Sequence, residues 1–492
     1  MQTMRRLTGV LAATALALFA AGCGGTTEQI GSGASDIVPA SAPVFIAVDT
    51  DPDSNQWRMV DQLAGKFPDK EKGINRIKAE LRKDPGVEWE QDLKPALGTE
   101  LDVIWLDFEA DGDNFVVLVQ PKSEAKFKQF VQKANASESD PSNRMTYEKY
   151  KGWYLLSEKQ ATLDRFESES DSAVRALSDE SAFKQSMDRL GGDSLVRAYV
   201  NGQAVMNVAR KYGGKEIRPY LNKVGKLDWI ASRLGVSSEG VALDAIVHGT
   251  PGKLFKGIPK TSGFTPKLLG DTPQNALLYF TFHGSKNMFQ GLQNNTFFRD
   301  PQFRQFAQPL NQIGRILEGE NAIYVRPGTA RSSDVPFAIP EVTLLATPST
   351  DGTKTLDRMI KRFAGSPPQA NTVDGTPVHS MASNGLGLYY ANVGGKFVVT
   401  DQPGGIRGVK RPGKSLSDSG EFKDTKNASG LPDKTFGFVY VNIHSSVPYG
   451  EKLAQQHIPA DIARNLKPLR SAVEYVASHT HEAQITFFVR IK

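Results

Sequence analysis

The chain has a single cysteine, Cys23, in 492 residues. No intramolecular disulfide can form, so the fold must be stable through packing alone. Beyond Cys23 there is no run of 18 apolar residues, which leaves no later segment that reads as a membrane-crossing helix. Strong charge of one sign is missing too. The formal net charge is +5, and Arg5 and Arg6 belong to the extreme N-terminus; so small an excess excludes an electrostatic footprint for nucleic acid. There is no Walker loop and no nucleophile elbow. What is present is ordinary globular usage, 39% hydrophobic and 23% charged, in a chain long enough to predict more than one domain.

Met1 to Arg6 is a short basic segment and Leu7 to Ala21 an apolar stretch of the length expected in an export leader, so residues 1–22 read as a signal peptide. Cys23 follows directly. "LFAAGC" resembles the lipobox of bacterial lipoproteins, although Ala20 stands where leucine is usual. The resemblance implies that the Cys23 sulfur carries a diacylglyceryl group, that the leader is cut before it, and that Cys23 is the lipid attachment residue. The alternative is a plain secretory signal with an incidental cysteine. Two acyl chains hold a protein on a bilayer far more firmly than one, so the expected location is the extracytoplasmic face of the cell membrane. Residues 23–37, with "GGTTEQIGSGASD" at Gly24 to Asp36, are small, polar and rich in Gly and Ser, which predicts a flexible tether.

The remainder repeats itself once at low identity. "PASAPVFIAV" from Pro39 matches "PQNALLYFTF" from Pro273, and "VVLVQP" ending at Pro121 matches "TLLATP" ending at Pro348. "WYLLS" from Trp153 matches "KFVVT" from Lys396, and "LSDESAFK" from Leu177 matches "LSDSGEFK" from Leu416. "YVN" recurs at Tyr199 and Tyr440, and "VALDAIVHG" from Val241 corresponds to "EAQITFFVR" from Glu482. The order is the same in both halves. Alternating strands predict antiparallel hairpins, one of them "DVIWLDFEADGDNFVVLVQ" around an Asp-Gly turn. Phe127, Phe130 and Val131, and later Leu356, Met359, Ile360 and Phe363, fall at helical spacing and predict amphipathic helices that cover the sheets. The expected fold is therefore α+β: two tandem, internally duplicated modules, 38–256 and 268–492, with antiparallel sheets covered by amphipathic helices. Gly249 to Lys267, dense in Gly, Pro and Lys, is the expected boundary.

The Pro-Ala-Ser opening before a strand, "VDTDPDSNQW", and "DLKPALGTELDV" from Asp92 to Val103 resemble the bacterial domain-of-unknown-function family 3352. In the second half "RILEGENAI" replaces "PALGTELDV". The resemblance implies a secreted or membrane-anchored protein and supplies no catalytic residues.

Several stretches imitate active sites. Gly192 to Leu195 spells the GDSL esterase motif with Ser194 as nucleophile, but it sits before a strand and the chain holds no matching Asp-x-x-His; a turn is the expected role. His479, His481 and Glu482 could share a strand end, yet a zinc site needs more converging ligands. "DTDPDSN" from Asp49 and "DFEADGD" from Asp107 imitate calcium loops, with Val60 and Leu118 where the twelfth-position glutamate belongs. No cofactor or metal site is expected. Two segments at matching places carry opposite charge: "FESESDS", with Glu167 to Asp171, and "IRGVKRPGK", with Arg407 to Lys414. They are expected to be loops, either simply solvated or facing one another or a docking partner.

Three functional classes remain. The first is a non-catalytic, lipid-anchored interaction or scaffold protein of the cell envelope, with a membrane contact through its lipid and an envelope protein or lipid as partner. The second is a carrier or sensor of a lipid or other apolar ligand; the third is a hydrolase using Ser194.

Overall fold

The computed structural model describes residues 30–83, 87–109, 112–212, 214, 221, 225–251, 263–286, 288–289, 307–328, 331–332, 335–348, 351–383, 386–454, 458–479 and 481–492. Cys23 and the leader lie outside the described residues, as do residues 252–262 of the expected boundary. The chain forms two compact units, Met1–Thr250 together with Lys492, and Pro251–Ile491.

In the first unit the strands are β1 (Val44–Asp49), β2 (Glu100–Trp105), β3 (Phe115–Val119), β4 (Thr146–Tyr150), β5 (Trp153–Ser157), β6 (Val196–Asn201), β7 (Gly225–Ser237) and β8 (Gly240–Pro251). Antiparallel pairing places them in the order β4-β5-β3-β2-β1-β6-β7, and β7 turns into β8 through Ser238 and Glu239. The sequence-predicted hairpin is β2–β3, registered from Trp105 opposite Phe115 to Leu101 opposite Val119, with Gly112 at φ 82° in its turn.

Successive strand residues point to opposite faces, and helices cover both. On one face Phe183, from the helix Ser181–Leu190, meets Phe45 edge-on at 5.5 Å and Tyr199 at 5.3 Å. These rings belong to a core with Ile104, Leu118, Leu155, Trp153 and Trp229. On the other face the helix Glu124–Ser137, capped by Ser123, buries Phe127, Phe130 and Val131 as the spacing predicted; Phe127 lies 4.6 Å from Tyr154. Each such fully buried apolar side chain is worth about 1.5–3 kcal/mol relative to exposure.

In the second unit the strands are β9 (Leu278–Gly284), β10 (Gly319–Arg326), β11 (Arg331–Ser332), β12 (Val335–Ala338), β13 (Glu341–Ala346), β14 (Gln369–Val373), β15 (Thr376–Ser383), β16 (Leu386–Val393), β17 (Lys396–Thr400), β18 (Gly437–Val441), β19 (Leu469–His479) and β20 (Glu482–Ile491). β11 and β12 form a small ribbon of their own. The others run antiparallel in the order β14-β15-β16-β17-β13-β10-β9-β18-β19-β20. From β16 to β19 this is the order of the first unit from β4 to β7. The small contacts coincide as well. Leu177 N–H donates to the Val38 carbonyl at 2.8 Å and Leu416 N–H to Thr272 at 2.7 Å, while Asn201 and Asn442 donate to Pro43 and Leu277 at 2.8 and 2.9 Å. Phe422 meets Tyr440 edge-on at 5.2 Å, as Phe183 meets Tyr199. Among the described residues, the hairpin β14–β15 has no counterpart in the first unit.

Three local expectations are corrected. The Gly/Ser-rich stretch was expected to remain a tether as far as residue 37, yet Ser32–Ser35 is a helical turn with Ala34 and Ser35 buried. Gly31, at φ 87°, donates its N–H to Glu100 Oε2 at 2.7 Å, and a Cβ there would lie 2.9 Å from Phe45. Tertiary seating, not local propensity, orders this segment. "FESESDS" is not a loop but the C-terminal half of the helix Gln160–Ser172, which buries Leu163 and Phe166. "IRGVK" likewise belongs to the helix Pro403–Lys410, started by a proline in its first turn. Its glycines mark close approach to the sheet: a Cβ on Gly405 would lie 2.3 Å from Thr400 Oγ1 and 2.6 Å from Thr343 Oγ1.

Candidate functional site

Ser194 is buried at the entry to β6. Its hydroxyl accepts a hydrogen bond from Arg197 Nε at 2.9 Å. Arg197 is itself 1% exposed and donates through Nη2 to the carbonyls of Gly191 and Gly192. Burial, with Arg233 close by, brings its pKa down to about 10. The GDSL motif is thus a turn whose serine and carbonyls satisfy a buried guanidinium.

The acidic turns have local work of the same kind. Asp49, nearly buried, accepts from Ser54 Oγ at 2.6 Å and from the Asp51 N–H at 2.9 Å, while Ser54 caps the helix Asn55–Ala64. Burial outweighs these hydrogen bonds and pushes the Asp49 pKa up to about 7. Asp107 accepts from the Glu109 N–H at 2.7 Å and Asn114 Nδ2 at 2.9 Å, and pairs with Arg165. His479 ends β19 opposite Glu482, and His481 occupies the turn at φ 65°. Among the described residues no three or more His, Cys, Asp or Glu side chains gather to hold a metal.

The oppositely charged segments answer many of their charges inside their own units. In the first, Arg165 pairs with Glu169 at 2.6 Å and Asp171 takes Lys151 at 2.9 Å and the Tyr150 hydroxyl at 2.6 Å. In the second, Lys410 donates to the Asp374 carbonyl and Arg411 lies 3.9 Å from the Asp374 carboxylate.

Two arrangements were not foreseen from sequence. On β15, β16 and the helix Gly352–Ala364, the Asp357 carboxylate holds His379 Nδ1 at 2.8 Å and the buried Tyr390 hydroxyl at 2.6 Å. It orients an imidazole as a hydrolase would, but the same contacts clamp a helix onto a hairpin. No sequence spacing links the three residues. The second is Asp102, fully buried on β2 with neither carboxylate oxygen partnered among the described residues. Burial, reinforced by Glu100, raises its pKa well above the ordinary carboxylate range, which keeps it neutral rather than ionised in the core.

The profile of the family described as protein of unknown function DUF3352 matches residues 6–486. The chain belongs to this family. No curated protein matches it. Among solved structures, crystal form III of TP0453 is similar at 12% identity over 45% of this chain and 80% of that one, with a TM-score of 0.23. Among the described residues of this DUF3352 member, no helix is long and apolar enough to cross a membrane.

Proposed function

We propose that this protein is an exported lipoprotein, anchored through Cys23, that acts without catalysis as an interaction module on the extracytoplasmic face of the cell membrane. One contrast between the units supports the interaction role. On one face of the first sheet, Val48, Val103 and Val117 are 7%, 4% and 6% exposed. On the corresponding strands of the second unit, Phe280, Phe282 and Ile323 are only partly buried and Val342 is 44% exposed. The register carries this face across β18 and β19 to Phe487 on β20, opposite Glu474 and 43% exposed. Apolar side chains exposed on one sheet face, with Glu474 among them, favour a partner over water. The occupant that fits is the apolar patch of an envelope protein. A lipid carried on the same face is the second reading. The two units share a strand order, and this face is more open in the second, although Ile46 and Ala198 of the first are also only partly buried.

A photo-crosslinker introduced at Phe487 in the native host tests this. A discrete protein adduct supports the interaction role. An adduct with lipid, together with a stoichiometric lipid in organic extracts of the purified protein, moves the carrier reading ahead. No adduct removes the face as a working surface. Incorporation of labelled fatty acid, and its loss in Cys23→Ser, tests the anchor separately.

A further inference from the structure

We infer that the N-terminal seat fixes how the first unit meets the membrane: the surface formed by Ser32, Gly33, the Lys151 turn and Val174 is held against the bilayer headgroups. The inference rests on the anchor at Cys23 and goes beyond it, because an anchor on a long tether would impose no orientation.

The described chain begins seven residues beyond Cys23, at Ile30. Gly31 is tied to Glu100 at 2.7 Å and leaves no room for a Cβ beside Phe45, so the chain is gripped there. Eight residue steps separate Cys23 from Gly31. Whatever their conformation, they reach about 29 Å at most. A folded unit of roughly 220 residues has a radius of gyration of roughly 17 Å, so its far side cannot be turned to the bilayer.

The neighbourhood of the seat is identifiable. A Cβ on Gly33 would lie 3.5 Å from Trp153 Cζ2, at the start of β5 beside the Lys151–Gly152 turn. Lys151 pairs with Asp171 at 2.9 Å, three residues before Val174. The bridge between Pro39 and Ala176 and the Leu177 to Val38 hydrogen bond fasten that segment beside the N-terminal strand of chain. Val174 is 98% exposed, an apolar side chain with nothing over it. Its charged neighbours are balanced, Lys151 by Asp171 and Arg175 by Glu180 at 3.2 Å. The surface is therefore suited to a zwitterionic headgroup layer, with no demand for anionic lipid.

The lipidated full chain carrying Val174→Cys, labelled with a fluorescent maleimide and reconstituted in phosphatidylcholine vesicles containing nitroxide-headgroup lipid, tests the inference. Glu109→Cys, beyond the opposite end of β2 from Glu100, is the reference. Because the anchor consumes the Cys23 thiol, each variant should take one label; two labels mean that Cys23 is unmodified and that the anchor reading fails. With one label, quenching at position 174 should exceed that at 109 several-fold, and a thirty-residue Gly/Ser insertion after Thr27 should erase the difference. Equal quenching at both positions, or a difference that survives the insertion, overturns the proposed orientation while leaving the anchor intact.

Discussion

Arg326 Nε donates to Glu341 Oε1 at 2.6 Å, joining β10 to β13, while Nη2 reaches the Gly404 carbonyl at 2.8 Å. The Glu341 side chain is 1% exposed, and its pKa is raised by burial against the pull of Arg326. Removing one partner strands a charge. Arg326→Met should lower the stability of the second unit by about 3–5 kcal/mol, and Arg326→Met with Glu341→Met should recover most of that loss. Denaturant unfolding of the two variants decides it; equal losses would mean that the pair is solvated after all.

Asp49 and Asp102 make stability depend on pH in an unusual direction. Both carboxyls have folded-state pKa values above the unfolded one, Asp49 at about 7 and Asp102 higher than an ordinary carboxylate, in each case chiefly through burial. Below about pH 4 both folded and unfolded forms hold the proton. As pH rises, the unfolded chain releases a proton that the fold retains, so stability falls, for Asp49 until about pH 7. Each group can contribute up to about 1.4 kcal/mol per pH unit in its window. Asp102→Ala, the residue found at the matching position Ala322, should raise stability at pH 7 by about 1–3 kcal/mol and flatten the slope between pH 4 and 7. Asp49→Asn should flatten it without the gain. Parallel slopes for wild type and Asp102→Ala would show that the carboxyl ionises in place.

Ser194→Ala separates structure from catalysis. Losing the hydroxyl deprives Arg197 Nε of its 2.9 Å acceptor, which should cost about 1–3 kcal/mol. Hydrolysis of short-chain esters should be identical in wild type and variant. A hydrolytic signal that disappears in Ser194→Ala at temperatures where the variant is folded would return the enzyme reading.

Strands and packing helices were legible because their signals are local. "WYLLS" is a short apolar run that pairs as β5 with all five residues buried, and Phe127, Phe130 and Val131 line the buried side of one helix. The failures lie where tertiary contact overrides composition. Gly31 and Gly33 spell a linker, but Glu100 and Phe45 give the segment a seat. Gly404, Gly405 and Gly408 spell a loop, but a helix passing so close to Glu341, Thr343 and Arg326 has no room for side chains. The Glu and Ser run after Phe166 has little apolar signal, and Arg165 and Glu169 support the helix there through a charge pair one turn apart. Candidate sites differ in kind. Ser194 stands just before β6, Asp49 ends β1 and Asp107 follows β2, all within short local motifs, whereas Asp357, His379 and Tyr390 come from three elements and meet only in the fold.

Two buried tyrosines should respond in opposite ways to loss of their hydroxyls. Tyr440 on β18 is fully buried, its ring is held by Phe422, and its hydroxyl has no hydrogen-bond partner among the described residues. Burial pushes its pKa above the usual tyrosine range, so the hydroxyl stays neutral and its desolvation goes uncompensated. Tyr390 on β16 is equally buried, but donates to Asp357 at 2.6 Å. Phenylalanine keeps both rings and removes only the oxygen. Tyr440→Phe should therefore hold or raise the thermal midpoint of the second unit, by about 1 kcal/mol in free energy, because an unsatisfied polar group is deleted. Tyr390→Phe should lower it by about 1.5–3 kcal/mol, the usual worth of a hydrogen bond to a charged acceptor, and should loosen the β15–β16 hairpin from its helix, seen as faster amide exchange along β15. If Tyr440→Phe destabilises as much as Tyr390→Phe, the Tyr440 hydroxyl has a partner, with an internal water as the natural candidate, and its ring alone does not account for its place in the core.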